Sequence, residues 1–191
     1  MIGPFPIVFL VMLALLAGSW WARRQSREAQ RQTMRAIHTL SERIISAGSA
    51  REIAENLADI LPTITQASSV RLFLYNRAAK TLESVAVEED PEPIAIPVAD
   101  PQEGLPKGAA KCFSTRSAIH IPDVRRNPLV SEGWTPAAPR SAMFIPVATK
   151  NECLGVIEAG NKRRLGYFTS EEQAALQHLA NQVATAITLQ A

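Results

Sequence analysis

Residues 141–160 read SAMFIPVATKNECLGVIEAG. Two apolar runs, 141–149 and 152–160, flank Lys150-Asn151, the pattern of a β-hairpin with a two-residue connection. Pro146 removes one ladder donor from the first arm, so that strand should lie at an edge or carry a bulge there. Past Gly160 the chain crosses Asn161-Lys162, reaches Phe168 and enters Thr169-Ser170-Glu171-Glu172, a capping box. The helix that it opens is expected to run to about Gln190, with Leu176, Leu179, Val183 and Ile187 as its apolar stripe. A hairpin followed by an amphipathic helix implies an antiparallel sheet covered by helices.

The segments upstream agree with that reading. Val70, Leu72 and Leu74 alternate with Arg71, Phe73 and Tyr75, a strand period. Residues 77–80 suit a turn and 81–87 a second strand. The acidic, proline-broken stretch 88–93 suits a loop and 94–98 a short strand. A helix is expected over 107–116, packing Ala109, Ala110 and Phe113, and another apolar run, 118–121, ends at Pro122. Ser49-Ala50-Arg51-Glu52 is a second capping box. It opens a helix with Ile53, Leu57, Ile60, Leu61 and Ile64 on one face, whose regular part should end near Leu61 because Pro62 follows. The fold class expected is α+β, with about five to six antiparallel strands and the terminal helices packed on one face.

The N-terminal part reads differently. Residues 1–22, MIGPFPIVFLVMLALLAGSWWA, carry no charged side chain. The 18 residues from Phe5 to Ala22 would span about 27 Å as a helix, close to the hydrocarbon thickness of a bilayer. Trp20 and Trp21 sit at its end, where amphipathic rings favour the interface, and Arg23, Arg24 and Arg27 follow at once. A cleaved signal peptide is the alternative, with Ala17-Gly18-Ser19 as the small residues. The absence of a charged region before the apolar run favours an uncleaved transmembrane anchor. The arginines then face the cytoplasm, which places the chain in the inner (plasma) membrane as a single-pass protein. Residues 23–35 hold five arginines and one glutamate, a local charge of +4 against +2 for the whole chain, so the remainder is about −2 by difference. Basicity confined to one short run does not describe a nucleic-acid-binding face. Residues 23–47 read as a basic helical connector, and Ile37, Leu40, Ile44 and Ala47 have the spacing of a short coiled-coil seam before Gly48 interrupts it. The domains expected are thus 1–22, 23–47 and 48–191.

Residues 141–187 resemble the end of a GAF domain: a strand with a Val-Pro-like step, a hairpin, Leu154-Gly155-Val156, Asn161-Lys162, Phe168-Thr169 and a final amphipathic helix. IHIPDVRRNP (119–128) is similar to that family's segment of a strand, an Asp and a Pro, and residues 49–75 to its opening helix and first strand. The resemblance covers roughly 46–190. It implies a small-molecule- or signal-sensing module that dimerises through its terminal helices. In cyclic-nucleotide-binding members a similar pattern is Asn-Lys, Phe, then Asp-Glu; here it is Asn161, Lys162, Phe168, Glu172 and Gln173, so one acid is changed and the other lost. The resemblance makes Asn161, Lys162, Phe168 and Glu172 a structural clasp rather than ligand contacts.

Enzymatic chemistry finds little support. The resembling free methionine-R-sulfoxide reductases carry a catalytic cysteine in the loop before the strand that starts at Ser141, and residues 122–140 contain none. Cys112 and Cys153 read as small packed hydrophobes. His38, His120 and His178 have no metal-ligand spacing, and no phosphate-binding glycine loop is present. The candidate ligand contacts are His120, Asp123, Trp134 and Ser141, around a proline-rich loop too long for an idle connection. Singly, Asp123 also suits an Asx-turn cap and His120 a surface strand position. Residues 173–191 contain no Asp, Glu, Lys or Arg, which points to an interface with the helix at 49–64 or with the connector seam of a second subunit. The function expected is a membrane-tethered cytoplasmic sensor that binds a small molecule and signals to a partner protein in trans, as a homodimer and without nucleic acid. A non-binding membrane scaffold is the alternative, and a free methionine-R-sulfoxide reductase-like enzyme the third reading.

Overall fold

The computed structural model describes residues 5–87, 93–101, 103–130, 140–160 and 168–190. The chain divides into two compact units, Met1–Ala36 and Ile37–Ala191. Helix α1 is Phe5–Ser46. Most side chains of the expected anchor, residues 1–22, lie outside the described ones. Among the described residues no helix is long and apolar enough to cross a membrane.

The second unit is built on a six-stranded sheet. Its strands are β1 (Ser69–Asn76), β2 (Thr81–Ser84), β3 (Ala95–Pro97), β4 (Ile119–Ile121), β5 (Ala142–Ala148) and β6 (Cys153–Gly160). Their order is β3-β2-β1-β6-β5-β4, and every neighbouring pair is antiparallel. The hairpin read from 141–160 is β5–β6. β5 is not a terminal strand, but its partner β4 reaches only from Ala142 to Phe144, so Pro146 lies where β5 has β6 alone beside it. A register shift follows at Val147/Ala148. The strand thus loses its β4 neighbour before Pro146 and becomes irregular just after it, the two settings in which a strand proline is tolerated. β2 is shorter than the expected 81–87. It stops at Ser84, whose N–H donates to the Ile94 carbonyl at 2.8 Å while its hydroxyl accepts the Ile94 N–H at 2.8 Å.

Helices α2 (Ala50–Thr65) and α4 (Ser170–Gln190) pack on β1, on β5 and on each other, whereas α3 (Leu105–Thr115) packs on β5 and β6. Strand alternation separates the two layers. Phe73, Ala142, Phe144 and Val156 join the buried cluster with Ala109, Ala110 and Cys112 of α3. Leu72, Met143, Ile145 and Ile157, one residue along, are equally buried on the opposite face. Both capping boxes form. Ser49 Oγ accepts the Glu52 N–H at 3.2 Å, and the Glu52 carboxylate reaches back to the Gly48 N–H at 2.8 Å. At α4, Thr169 Oγ1 accepts the Glu172 N–H at 3.2 Å, and Glu172 Oε2 accepts the Thr169 N–H at 2.7 Å.

Two expectations need correction. α2 does not end near Leu61 but carries Pro62 inside it and runs to Thr65. Burial of Leu61, Ile64 and Thr65 offsets the lost ladder bond, and Gln66 closes the helix in the left-handed region (φ 56°), its N–H donating to the Pro62 carbonyl at 2.8 Å. The seam read as coiled coil is covered by its own chain: Leu40 and Ile44 are fully buried and Ala47 nearly so. Arg43 pairs with Asp59 of α2 at 3.0 Å, and the Gln190 side-chain amide of α4 donates to the Ala47 carbonyl at 2.8 Å.

Candidate functional site

β1 and β6 lie side by side in the middle of the sheet, and their register sets Arg71 opposite Glu158 and Phe73 opposite Val156. Glu158 is 5% exposed, the one buried acidic side chain among the described residues. Cross-strand partners stand about 5 Å apart at Cβ, so a buried carboxylate here faces a guanidinium stem. A cavity of about 240 Å³ opens above this pair. Its described lining is Arg71 and Glu158 on the floor; Phe73, Ile94, Ile96 and Leu105 as the apolar wall; and Glu103, Gly104 and Pro106 at the start of α3.

Local sequence explains how α3 arrives there. Gly104 is its N-cap at φ 80°, a conformation that side chains rarely adopt, and no side chain caps the helix. Pro106 in the first turn has no N–H to satisfy. The Lys107 N–H donates to the Gly104 carbonyl at 3.1 Å, and the start of α3, the positive end of its helix dipole, borders the cavity. The described lining holds both signs of charge and an apolar wall but no Ser, Cys, His or Lys. Such a site can bind and orient a compact ligand with polar and apolar parts; its described residues include no hydroxyl, thiol or amine nucleophile.

The cysteines behave as packed hydrophobes. Cys112 is fully buried and Cys153 nearly so. Burial, with Cys153 nearby, pushes the Cys112 thiol far above its ordinary range, and burial also raises Cys153. Both stay protonated and poorly nucleophilic near neutral pH. Among the described residues no group of His, Cys, Asp or Glu could hold a metal.

The residues singled out from sequence gather elsewhere. His120 in β4 accepts the Phe168 N–H on Nε2 at 3.3 Å, and its ring meets the Phe168 ring edge-on at 5.8 Å. It fastens the entrance of α4 to the sheet edge. Asp123 caps a 3-10 turn (Val124–Arg126): its carboxylate accepts the Arg125 N–H at 3.1 Å, and Arg125 Nε and Nη2 at 3.0 and 2.7 Å. Ser141 is fully buried just before β5. Trp134, Asn161 and Lys162 lie outside the described residues; Phe168 is buried and Glu172 serves the α4 cap. Neither His120, Asp123 nor Ser141 belongs to the described lining of the cavity. Sequence reading passed over Arg71 and Glu158, although an acid inside the apolar run GVIEAG was the signal available.

The side-chain bond to Arg125 holds the Asp123 carboxyl down to about 2. A carboxyl lowered on folding stabilises the fold above its unfolded value of about 3.9 and loses that effect as pH falls through the folded value. Asp123→Asn should therefore melt below the unaltered protein at pH 5, with the gap closing towards pH 2. A gap independent of pH would show that the charge contributes nothing beyond the turn.

Comparison with known proteins follows the same lines. A family model described as "GAF domain" matches residues 49–187. Comparison with curated protein sequences gives no significant match. Among solved structures, the chain is similar to the GAF domain from an Acinetobacter phosphoenolpyruvate-protein phosphotransferase, at 12% identity and a TM-score of 0.69 over 83% of this chain and 93% of that one. Free methionine-R-sulfoxide reductase from Neisseria meningitidis, in complex with its substrate, gives 15% identity and 0.66 over 83% and 89%. A methyl-accepting chemotaxis protein gives 21% and 0.63 over 78% and 95%. At these identities the likeness is one of fold.

Proposed function

Because the chain belongs to the GAF domain family, whose members are sensory and ligand-binding signalling modules, we propose that it binds a small molecule in the cavity above Arg71 and Glu158 and passes its state to a partner protein. The observation that carries this reading is Glu158 itself. A carboxylate only 5% exposed, set in the centre of the sheet at the floor of a cavity, costs stability that an apolar residue would not, and such sites concentrate where a ligand is bound. The reading is non-enzymatic. The protonated, buried cysteines and the lack of a nucleophile in the described lining favour binding over turnover. Residues 1–22 act in this reading as a transmembrane anchor, on the evidence of their charge-free sequence and the arginines that follow, with the folded unit in the cytoplasm.

Pairing of two copies through α4 belongs to the same reading. Beyond its first turn, which carries the exposed Glu171, its exposed positions Gln173, His178, Asn181, Thr185 and Leu189 include no Asp, Glu, Lys or Arg, so a second helix can approach there without desolvating a charge.

Native mass spectrometry of residues 37–191, purified from cells, tests both parts. A reproducible adduct of a few hundred daltons is expected, and Ile94→Trp, a change at the half-exposed rim of the cavity, should remove it without lowering the melting temperature. An unliganded protein even after incubation with a small-molecule cell extract, or an adduct indifferent to Ile94→Trp, would overturn the pocket and favour the scaffold reading. A dimer mass supports pairing; a monomer at all concentrations removes it. Release of methionine from added free methionine sulfoxide would restore the enzyme.

A further inference from the structure

We propose that the arginines between positions 23 and 35 form a binding surface for the phosphate headgroups of anionic lipids, an inference that rests on the anchor reading of residues 1–22. Positions 23, 27, 31 and 35 recur every four residues within one unbroken helix, α1. Each four-residue step advances about 400° at about 100° per residue, so the four lie on one slowly winding stripe. Arg24 stands beside the stripe. The single acid of the segment, Glu28, is spent on it, with its carboxylate 3.3 Å from Arg24 Nε.

Distance along the helix ranks the contributions. At about 1.5 Å per residue, Arg23 lies next to Ala22, Arg27 about 7.5 Å beyond it, Arg31 about 13.5 Å and Arg35 about 19.5 Å. Screening in physiological salt has a length of about 8 Å, so Arg23 and Arg24 feel a lipid surface most strongly, Arg27 at roughly 40% of that strength and Arg35 hardly at all. Guanidinium matches phosphate with paired N–H donors, which ammonium cannot do.

The preceding turn has the features of an interface. Trp20 and Trp21 are 63% and 64% exposed, and the Arg24 guanidinium carbon lies 5.5 Å from the centre of the Trp20 ring. Ring and cation thus sit together at the point where an apolar segment ends, as at headgroup depth. A nucleic acid would also attract arginines. It would have no use for a charge-free segment ending in two exposed tryptophans immediately before them, and the remainder of the chain is net acidic.

The test uses the full chain in vesicles of phosphatidylcholine with 30% phosphatidylglycerol, one or the other lipid carrying brominated chains. Bromine quenches the Trp20 and Trp21 emission, and Trp134 adds the same background to both measurements. Brominated phosphatidylglycerol should quench more at equal mole fraction, with a relative association constant of about fivefold. The preference should vanish in Arg23→Gln/Arg24→Gln/Arg27→Gln, survive in Arg35→Gln, and weaken at high salt. Equal quenching by both lipids overturns the proposal and leaves the anchor standing. No quenching by either, with the chain released by carbonate, removes anchor and proposal together. A preference abolished by micromolar single-stranded DNA would mark a nucleic-acid surface instead and overturn the proposal.

Discussion

Gly155→Ala is expected to lower the stability of the unit 37–191 by about 3 kcal/mol or more. β6 is enclosed on both sides, and Gly155 pairs with Leu74 of β1 and Val147 of β5. A Cβ at this position would stand 2.0 Å from the Phe73 carbonyl oxygen, 3.1 Å from its carbon and 3.2 Å from Leu74 Cα. Carbon–oxygen contacts between strands normally begin near 3.3 Å, so β1 and β6 would have to part by about 1 Å. The obstacle is backbone, which no rotamer change relieves. At about 2–4 °C per kcal/mol for a unit of this size, the melting temperature should drop by roughly 6–12 °C. Gly48→Ala is the control. Its Cβ would meet nothing nearer than Glu52 Oε2 at 3.7 Å, and it should stay within about 0.5 kcal/mol of the parent. Equal melting of the two variants would mean that β1 and β6 do not approach this closely.

Phe144→Ala should cost about 3–5 kcal/mol by urea unfolding. The ring is fully buried between the sheet and α3, and it presses on Gly108: a Cβ there would lie 2.5, 3.0 and 3.1 Å from three of its atoms. Gly108→Ala alone should therefore destabilise by about 1–3 kcal/mol, less about 1 kcal/mol recovered from helix propensity. In the Phe144→Ala background the same alanine enters vacated space and should be neutral or stabilising. Additive effects of the two changes would show that ring and helix do not share this volume. Because the first turn of α3 lines the cavity, the loosened variant should also lose any co-purified ligand.

The contrast between Glu172 and Glu158 shows how far the sequence could be read. Glu172 does its work three residues from its partner, Thr169, and the capping box is visible in any local window; the same holds for Ser49 and Glu52, and for the hairpin at 150–151. Glu158 has meaning only once β6 is laid against β1 in one particular register. A slip of one residue would turn it to the other face, away from Arg71 and the cavity. Pro62 was misread for a related reason. The local rule that ends a helix there is outweighed by the burial of Leu61 and Ile64, which only the packing of α2 reveals. The connector seam had the spacing of a coiled coil, but spacing does not say which chain fills it; Ala47 and Gln190 answer that from opposite ends of the folded unit. His120, Asp123 and Ser141 were chosen because they flank a long loop. His120 and Asp123 hold the edge of the sheet and the turn, while the described walls of the cavity come from strands and the start of α3, which carry no distinctive motif.

The two outer margins of the sheet are both short and both interrupted by proline: β3 spans three residues and ends at Pro97, and β5 runs past the three-residue β4 into Pro146 and a register shift. An unpaired strand is a template on which a strand of another molecule can grow. A proline offers no amide proton to the incomer, and a shift in register spoils the spacing of the groups that remain. Pro146 is buried, whereas Pro97 is only half-buried on the outermost strand; replacing Pro97 with valine would leave the interior of the domain almost unaltered, yet it would open a way for these molecules to polymerise through their sheets.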